Sequence, residues 1–316
     1  MIAAPKWLPY RLRSSWDTAR INAAVTDLRH ATPRAATPPE SASAEVHMLV
    51  CKRDLRLAGL SLLSLLRYEL PLAVTVTEDG SLTANDRAWL NRLIPGVRWL
   101  ARRVEEPTFQ EVLQSFPRLA ELYAGGYHPI CKLLHPICLG CCERIIVLDP
   151  DTVFFQYPEL LSEWVAGSDS RDYYLHDHQD EATAVPESVR TAFVQLADIT
   201  ARFGQRWSLA YYLFNSGLLW YHRKRMNLDV AEAYLTWRIE QPHALRSGIG
   251  AIWFGDWTPE QTGYMAMFAT ANPTPVHMPD DYWLGGGNGH TFNHFLRHYL
   301  IQTETQQRIH QLAKTL

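Results

Sequence analysis

The stretch RIIVLDPDTVFF, at residues 144–155, decides the fold of this chain. Four consecutive apolar residues, mostly β-branched, precede two acids that are separated by one proline. Such a run is typical of a strand buried on both faces at the centre of a parallel or mixed sheet. Because carboxylates cannot lie inside such a strand, Asp149 and Asp151 are predicted at its carboxyl end, the edge at which open α/β sheets bind ligands.

The composition is that of a globular protein of ordinary charge. Of the 316 residues, 47% are hydrophobic and 20% are charged, and the formal net charge is −3. This balance gives no reason to expect nucleic acid as a partner. The sequence contains no run of about 18 apolar residues and no recognisable signal peptide. We therefore expect a soluble, cytoplasmic protein with reduced cysteines and no transmembrane segment.

Four of the five cysteines fall within twelve residues, from Cys131 to Cys142. An odd number spaced this closely is a poor framework for disulfides. Nearby histidines make a zinc site one interpretation, but a second, distant ligand pair is missing from the sequence. Free cysteine also behaves as a small buried hydrophobe, so we favour core packing as the role of this cluster.

The composition also suggests a boundary near residue 44. Residues 1–44 contain an aromatic segment, a helix-like stretch and a linker rich in proline and alanine, and residues 45–316 are predicted to form one domain. That domain opens with strand, helix, strand, helix and strand between His47 and Ala101. This order predicts a doubly wound α/β architecture of the nucleotide-binding type.

Later elements are predicted from apolar periodicity and from proline and glycine punctuation. The predicted helices are Pro107–Tyr123, Ile130–Cys142 with a bend at Pro136, Glu187–Phe203, Leu228–Ile239, Pro259–Thr270 and Gln302–Leu316. A short strand is predicted over Asp172–His176 and a strand pair or bent strand over Leu209–Tyr221, and a glycine-rich loop follows at residues 285–289.

Asp149 and Asp151 are the first candidates for chemistry. Two carboxylates one residue apart at the end of a buried strand suit a hard divalent cation such as Mg²⁺ or Mn²⁺. A cation bound there would neutralise a diphosphate, which makes a phosphate-bearing ligand the natural substrate. The structural alternative is a capped turn that carries two solvated acids.

In order, the signals along the chain resemble the motifs of the GT-A glycosyltransferases, which are metal-dependent enzymes with nucleotide-sugar donors. The similar segments are the first strand at His47–Cys51, the turn at Thr77–Thr83, the helix at Lys132–Leu134, the Asp-x-Asp motif at Asp149–Asp151, the turn at Phe214–Gly217, the late acidic motif at Glu260–Thr262 and the histidine segment at His294–Arg297. The resemblance implies a GT-A-like α/β fold with a mixed, mainly parallel central sheet. It also implies a hexosyltransferase that uses Mn²⁺ or Mg²⁺ and a UDP-sugar, and it leaves the acceptor open.

The resemblance further implies roles for individual residues. Asp151 would bind the metal, Asp149 would bind the ribose and the metal, and His294 would complete the coordination shell, with His290 and His298 as its rivals. An imidazole among carboxylates favours Mn²⁺ over Mg²⁺. The other implied residues are the catalytic Glu260 and the donor-binding Lys132, Asn215, Gly217 and Arg297.

Several of these residues also have an ordinary structural interpretation. Glu260 stands at a typical helix start, where the helix dipole favours an acid. Asn215 fits a turn or a bulge between apolar runs, and Lys132 fits a solvated position on a helix.

Two rival functions fit the same acids. In a phosphohydrolase of the haloacid-dehalogenase type, Asp149 would be the phosphoryl-accepting nucleophile and Asp151 a general acid, with Asp280 and Asp281 as later metal ligands. Against this rival, Thr152 stands where glycine is usual, and the motif follows three strands instead of lying in the first. The other rival is a non-catalytic module on the same fold that binds a sugar or a protein.

Overall fold

The computed structural model describes residues 25–176, 197–203, 214–240, 259–295, 297–300 and 302–316, together with the isolated Ala19 and Ala23. Most of the predicted N-terminal segment before residue 25 lies outside the described residues. So does the predicted helix over Glu187–Phe203 up to residue 196, while residues 197–201 are helical.

The described strands form a larger and a smaller sheet. The strands are β1 (Ala44–Val50), β2 (Leu72–Glu78), β3 (Arg98–Leu100), β4 (Arg144–Leu148), β5 (Thr152–Phe154), β6 (Tyr173–His176), β7 (Phe214–His222), β8 (Val276–His277), β9 (Tyr282–Leu284) and β10 (Phe292–His294). The larger sheet has the spatial order β3-β2-β1-β4-β7-β6-β8. Its first four strands are mutually parallel, and β7 runs antiparallel to both β4 and β6. The predicted mixed, mainly parallel sheet is therefore confirmed.

The smaller sheet brings the end of the chain back to the organising stretch. In it, β10 lies between β5 and β9, antiparallel to β5 and parallel to β9. His294, the last residue of β10, pairs with Thr152 at the start of β5. Because Thr152 directly follows Asp151, this register carries His294 to the predicted acidic edge.

Helices flank the sheets. They are α1 (Leu55–Leu66), α2 (Ala84–Leu93), α3 (Pro107–Gln114), α4 (Pro117–Ala124), α5 (Ile130–Leu139), α6 (Glu159–Ala166), α7 (Leu228–Glu240), α8 (Pro259–Thr270), α9 (Arg297–Leu300) and α10 (Thr303–Ala313). Among the described residues, no helix combines the length and the apolar character needed to cross a membrane.

Two helix predictions need correction. The single helix predicted over Pro107–Tyr123 is wrong, because the structure has α3 and α4 with a break before Pro117. Proline has no N–H to continue a helix, and it disfavours helical backbone in the residue before it. The helix predicted over Ile130–Cys142 ends earlier, at Leu139, since the backbone of Gly140 is extended.

Strand β4 divides the hydrophobic core into two layers. Ile146 and Leu148 pack in the layer that contains α1, whereas Ile145 and Val147 pack in the layer that contains α5 and α8. All four side chains are fully buried. The prediction of a strand buried on both faces is confirmed, and it fixes the turn after Leu148 as the first place where a carboxylate can reach solvent.

The linker before β1 lies against the domain. Backbone N–H groups of Arg34 and Ala36 donate to the carbonyls of Leu93 and Pro95, at 2.9 and 2.8 Å. Further upstream, Leu28 is fully buried in the core. The described part of the arm is therefore ordered on the body of the protein, while a domain boundary at residue 44 stays a prediction.

The cysteine cluster lies beside a buried glutamate. Cys131 and Cys142 are buried as expected, whereas Cys141 is exposed. The backbone N–H of Cys141 donates to Glu45 Oε2 at 2.5 Å. Among the described residues, no cysteine belongs to a group of His, Cys, Asp and Glu that could hold a metal. The buried Cys131 and Cys142 fit the predicted core packing, whereas the exposed Cys141 does not.

Glu45 is a fully buried carboxylate with several partners. The Thr75 hydroxyl donates to Oε1 at 2.5 Å. His47 Nε2 lies 3.2 Å from the same oxygen, a contact that is an ion pair only when His47 is protonated. Burial alone would raise the pKa of Glu45, but His47, Thr75 and the Cys141 N–H outweigh burial and lower the pKa to about 2.

We predict that Glu45→Gln lowers the free energy of unfolding at neutral pH. A carboxylate with a lowered pKa stabilises the folded state above its ordinary value of 4.5, and this contribution is lost as the pH falls toward 2. The shift corresponds to a contribution on the order of 3 kcal/mol. Urea unfolding of both proteins between pH 7 and pH 2.5 measures it. A difference that stays constant over this range would show that the Glu45 charge does not contribute.

Candidate active site

Asp149 and Asp151 lie in the turn between β4 and β5. The Asp149 N–H donates to the Gly217 carbonyl at 2.9 Å, which extends the pairing of β4 with β7 by one residue. The Thr152 hydroxyl donates to the Asp149 carbonyl at 2.7 Å and closes the turn. Both carboxylates are about a quarter exposed. They lie at the carboxyl end of the central strand, where the sequence predicts them.

His294 completes a group of three possible metal ligands with these acids. Its Nε2 lies 3.2 Å from Asp151 Oδ1 and 3.8 Å from Asp149 Oδ2. Burial lowers the pKa of His294, but the charges of Asp151 and Asp149 outweigh burial and raise it. The N–H of Phe295 donates to the Asp151 carbonyl at 2.8 Å, so the backbone also holds the two segments together.

This donor set fits a divalent cation. One ligand atom from each of Asp149, Asp151 and His294 can be chosen so that all lie within 4.8 Å of one another. Two carboxylates and one imidazole nitrogen form the mixed oxygen and nitrogen shell that Mn²⁺ accepts. Within the described residues, no other group of three His, Cys, Asp or Glu side chains meets this test.

Lys132 lies in the first turn of α5 and is buried beside the acids. Its Nζ lies 2.6 Å from Asp149 Oδ1 and 3.6 Å from Glu260 Oε1, and it donates to the Ser216 hydroxyl at 3.1 Å. Burial lowers the pKa of Lys132, but Asp149 and Glu260 outweigh burial and raise it. The ammonium group of Lys132 thus links the acidic turn to Glu260. Because Lys132 is buried, the alternative interpretation of this residue as a solvated helix position is wrong.

Glu260 lies in the first turn of α8 and is buried. Oε1 accepts a hydrogen bond from the Ser216 hydroxyl at 3.1 Å, and the Gln261 side-chain oxygen is an alternative acceptor at the same distance. Oε2 is buried without a hydrogen-bond partner among the described residues. A carboxylate oxygen left in this state has the capacity to accept a hydrogen bond from a ligand.

Two cavities lie on either side of the acids. The first, of about 350 Å³, extends past the ends of β1 and β2 and is lined by Cys51, Asp54, Asp79 and His128 among others. The second, of about 340 Å³, is lined by Lys132, Asn215, Ser216, Glu260, Gln261 and His294 among others. Asp149 and Asp151 line both cavities, so the candidate metal site lies where the two cavities meet.

The other residues predicted to bind the donor or the metal lie at different distances from the three possible metal ligands. Asn215 lines the second cavity, and Gly217 lies beside the His294 imidazole. His290 stacks on Trp283 with ring centroids 5.1 Å apart, outside the group of possible ligands. The side chains of Arg297 and His298 lie outside the described residues. His294 itself is the last residue of strand β10.

No protein-family model matches the sequence, and no curated protein does. Solved structures do match. An active-site mutant of the galactosyltransferase LgtC aligns with a TM-score of 0.50, 10% identity and coverage of 86% of this chain and 96% of LgtC. This chain has the GT-A fold. The mannosyltransferase Ktr4p of S. cerevisiae, in complex with GDP, gives a TM-score of 0.48 at 10% identity over 87% of this chain and 80% of its own. Mouse xyloside xylosyltransferase 1 gives 0.47 at 14% identity over 84% and 99%.

Sequence reasoning missed two residues of the site on this GT-A fold. The turn predicted at Phe214–Gly217 is wrong, because these residues begin strand β7. Within this strand, the Ser216 hydroxyl joins Lys132 to Glu260. Gln261 is the neighbour of a candidate residue, and its side-chain oxygen accepts a hydrogen bond from Ser216. The motif spacing identified both segments, whereas the partners of these side chains come from more than 40 residues away.

We predict that Lys132→Met destabilises the protein by about 3 kcal/mol, since it leaves the partly buried Asp149 and the buried Glu260 without their cation. Glu260→Gln should cost less in the Lys132→Met background than in the wild type, because the two side chains interact directly. Urea unfolding of the four proteins of this cycle measures the coupling. Lys224→Met is the control: its exposed pair with Glu143, at 3.6 Å, should contribute about 1 kcal/mol or less. Additive costs for Lys132 and Glu260 would contradict the pairing.

Proposed function

We propose that this chain is a metal-dependent glycosyltransferase that moves a sugar, expected to be a hexose, from a nucleoside-diphosphate sugar to an acceptor. One observation carries the proposal. The two acids and the histidine that suit a divalent cation lie between two cavities, at the carboxyl edge of the central sheet of a GT-A fold. A nucleotide sugar has the matching order of parts, with the diphosphate between the nucleoside and the sugar.

The cavities support this orientation of the donor. The first cavity lies at the ends of the parallel strands β1 and β2, the usual location for a nucleotide in an α/β sheet. The second contains Glu260 and Ser216, polar groups that suit sugar hydroxyls. We therefore place the nucleoside in the first cavity, the diphosphate over Asp149 and Asp151, and the sugar in the second cavity.

Asp149, Asp151 and His294 would hold the metal in this account. Bound there, a divalent cation supplies Lewis-acid stabilisation to the nucleoside diphosphate as it leaves. The protein itself orients the groups around the bond that breaks. Lys132 pairs with one oxygen of Asp149, which leaves Oδ2 on the side of His294.

Glu260 has the position of a hydroxyl acceptor. Lys132 and Ser216 engage its Oε1, whereas Oε2 is buried with no described partner. A sugar hydroxyl that donates to Oε2 would satisfy this oxygen and fix the orientation of the sugar. The same atom is the candidate general base if the acceptor hydroxyl approaches from this side.

The haloacid-dehalogenase alternative does not fit the structure. It requires a different fold, and the side chains it needs as later metal ligands, Asp280 and Asp281, are exposed and lie outside the group formed by Asp149, Asp151 and His294. A non-catalytic binding module shares the fold, and turnover distinguishes it from the transferase.

A donor screen tests the proposal. The full chain is incubated with UDP-, GDP- and dTDP-sugars and Mn²⁺, and release of the nucleoside diphosphate is measured. We expect release from a UDP-sugar that is lost on addition of EDTA. Nucleotide binding without release from any donor would contradict the enzyme and favour the binding module.

We further predict that Asp151→Asn keeps the fold and reduces Mn²⁺-dependent UDP binding by at least about tenfold, because it removes one charged ligand. Asp281→Asn is the matched control, an exposed acid of the same type that should leave binding unchanged. Isothermal titration with UDP, with and without Mn²⁺, measures both. Wild-type UDP and Mn²⁺ affinity in the Asp151 variant would remove this residue from the metal site.

A further inference from the structure

Asn215 makes two contacts that its position beside a sugar-sized cavity does not explain. The side chain is buried at the start of β7. Its Oδ1 accepts the Gly217 N–H at 2.8 Å and lies 3.1 Å from His294 Nδ1. The single oxygen therefore contacts both the backbone of its own strand and one of the candidate metal ligands.

These contacts fix the protonation pattern of the neutral imidazole. A backbone N–H can only donate, so the Asn215 atom that faces Gly217 must be the carbonyl oxygen, not the amide nitrogen. Because that oxygen can only accept, His294 Nδ1 must carry the proton. In the neutral ring, Nε2 then has a free lone pair, and it is this atom that faces Asp151 and Asp149, at 3.2 and 3.8 Å.

Gly217 makes the close approach of the ring possible. A Cβ at this position would overlap the imidazole of His294 and would lie 2.9 Å from Asn215 Oδ1. The Gly217 carbonyl also accepts the Asp149 N–H at 2.9 Å. One short segment, Asn215–Gly217, thus holds the backbone of one candidate ligand and the ring of another.

We propose that Asn215 is a positioning residue for the metal site: it holds His294 with the proton on Nδ1 and directs Nε2 at the cation. This role is additional to the contact of Asn215 with the donor sugar, which stays a prediction, and it rests on the metal site of the proposed function. Groups that accept the second ring N–H of a ligating histidine set its orientation, and their loss typically weakens metal binding about 10- to 100-fold.

The test compares replacements at residue 215 by titration with Mn²⁺ alone. Asn215→Leu removes the acceptor at similar size and should weaken Mn²⁺ binding at least about tenfold. Asn215→Asp keeps an acceptor oxygen and should bind Mn²⁺ no more weakly than the wild type. Asn227→Leu is the matched control, since Asn227 Oδ1 accepts the Asp229 N–H at 2.9 Å, the same local contact that Asn215 makes with Gly217, at an exposed position outside both cavities. It should leave Mn²⁺ affinity unchanged.

A second readout follows the imidazole itself. Nitrogen-15 spectra of metal-free protein, recorded at a pH above the raised pKa of His294, should show a protonated Nδ1 and an unprotonated Nε2 in the wild type and a mixture of tautomers in Asn215→Leu. A purely structural role of Asn215 would change the melting temperature and leave this pattern intact. Asn215→Ala gives the same comparison if leucine prevents folding.

The possible outcomes distinguish the positioning role of Asn215 from the proposed metal-dependent function. Equal Mn²⁺ affinity in the wild type and Asn215→Leu would overturn the positioning role and leave the metal site standing. A loss in Asn215→Asp as large as in Asn215→Leu would also overturn it. A wild-type protein that binds no Mn²⁺ would overturn both.

Discussion

An imbalance of charge at the edge of the central sheet shapes the rest of this structure. Asp149, Asp151 and Glu260 place three carboxylates around one ammonium group, that of Lys132. Lys132 contacts two of these carboxylates, and the described ion-pair partner of Asp151 is His294. Like charges this close cost free energy unless a cation lies among them. Three carboxylates and one ammonium group leave two negative charges when His294 is neutral. A divalent cation would balance these two charges and could then bind the diphosphate of a nucleotide.

The fold produces this concentration of charge through strand pairing. The four apolar residues of β4 fill both core layers, so the first carboxylate emerges only after Leu148. The antiparallel partner β7 brings Asn215–Gly217 to the same end of the sheet, and the pairing of β10 with β5 places His294 beside Asp151. Helix α5 contributes Lys132, whose ammonium group contacts the Asp149 carboxylate. Backbone hydrogen bonds thereby hold the segments that carry Asp149, Asp151 and His294 next to one another.

Local sequence patterns predicted most of the secondary-structure elements but not the contacts between them. The apolar run before Asp149 predicted a buried central strand, and proline and periodicity predicted the bounds of α8, Pro259–Thr270, as observed. The same periodicity wrongly predicted one helix in place of α3 and α4, because the apolar spacing continues through the break before Pro117. The bond from His294 to Asn215 spans 79 residues, and no local pattern encodes such a pairing. Resemblance supplied the candidates, and only the three-dimensional arrangement showed that Asn215 touches a candidate ligand.

The central claim is that the Asp149, Asp151 and His294 side chains bind a divalent cation that in turn binds a nucleoside diphosphate. Crystals grown with Mn²⁺ and UDP, measured at the manganese absorption edge, test it most directly. The account predicts one anomalous peak among these three side chains, in contact with the diphosphate, with His294 Nε2 as the nitrogen ligand. Bound UDP without a peak at this position, or with manganese at other residues, would contradict it.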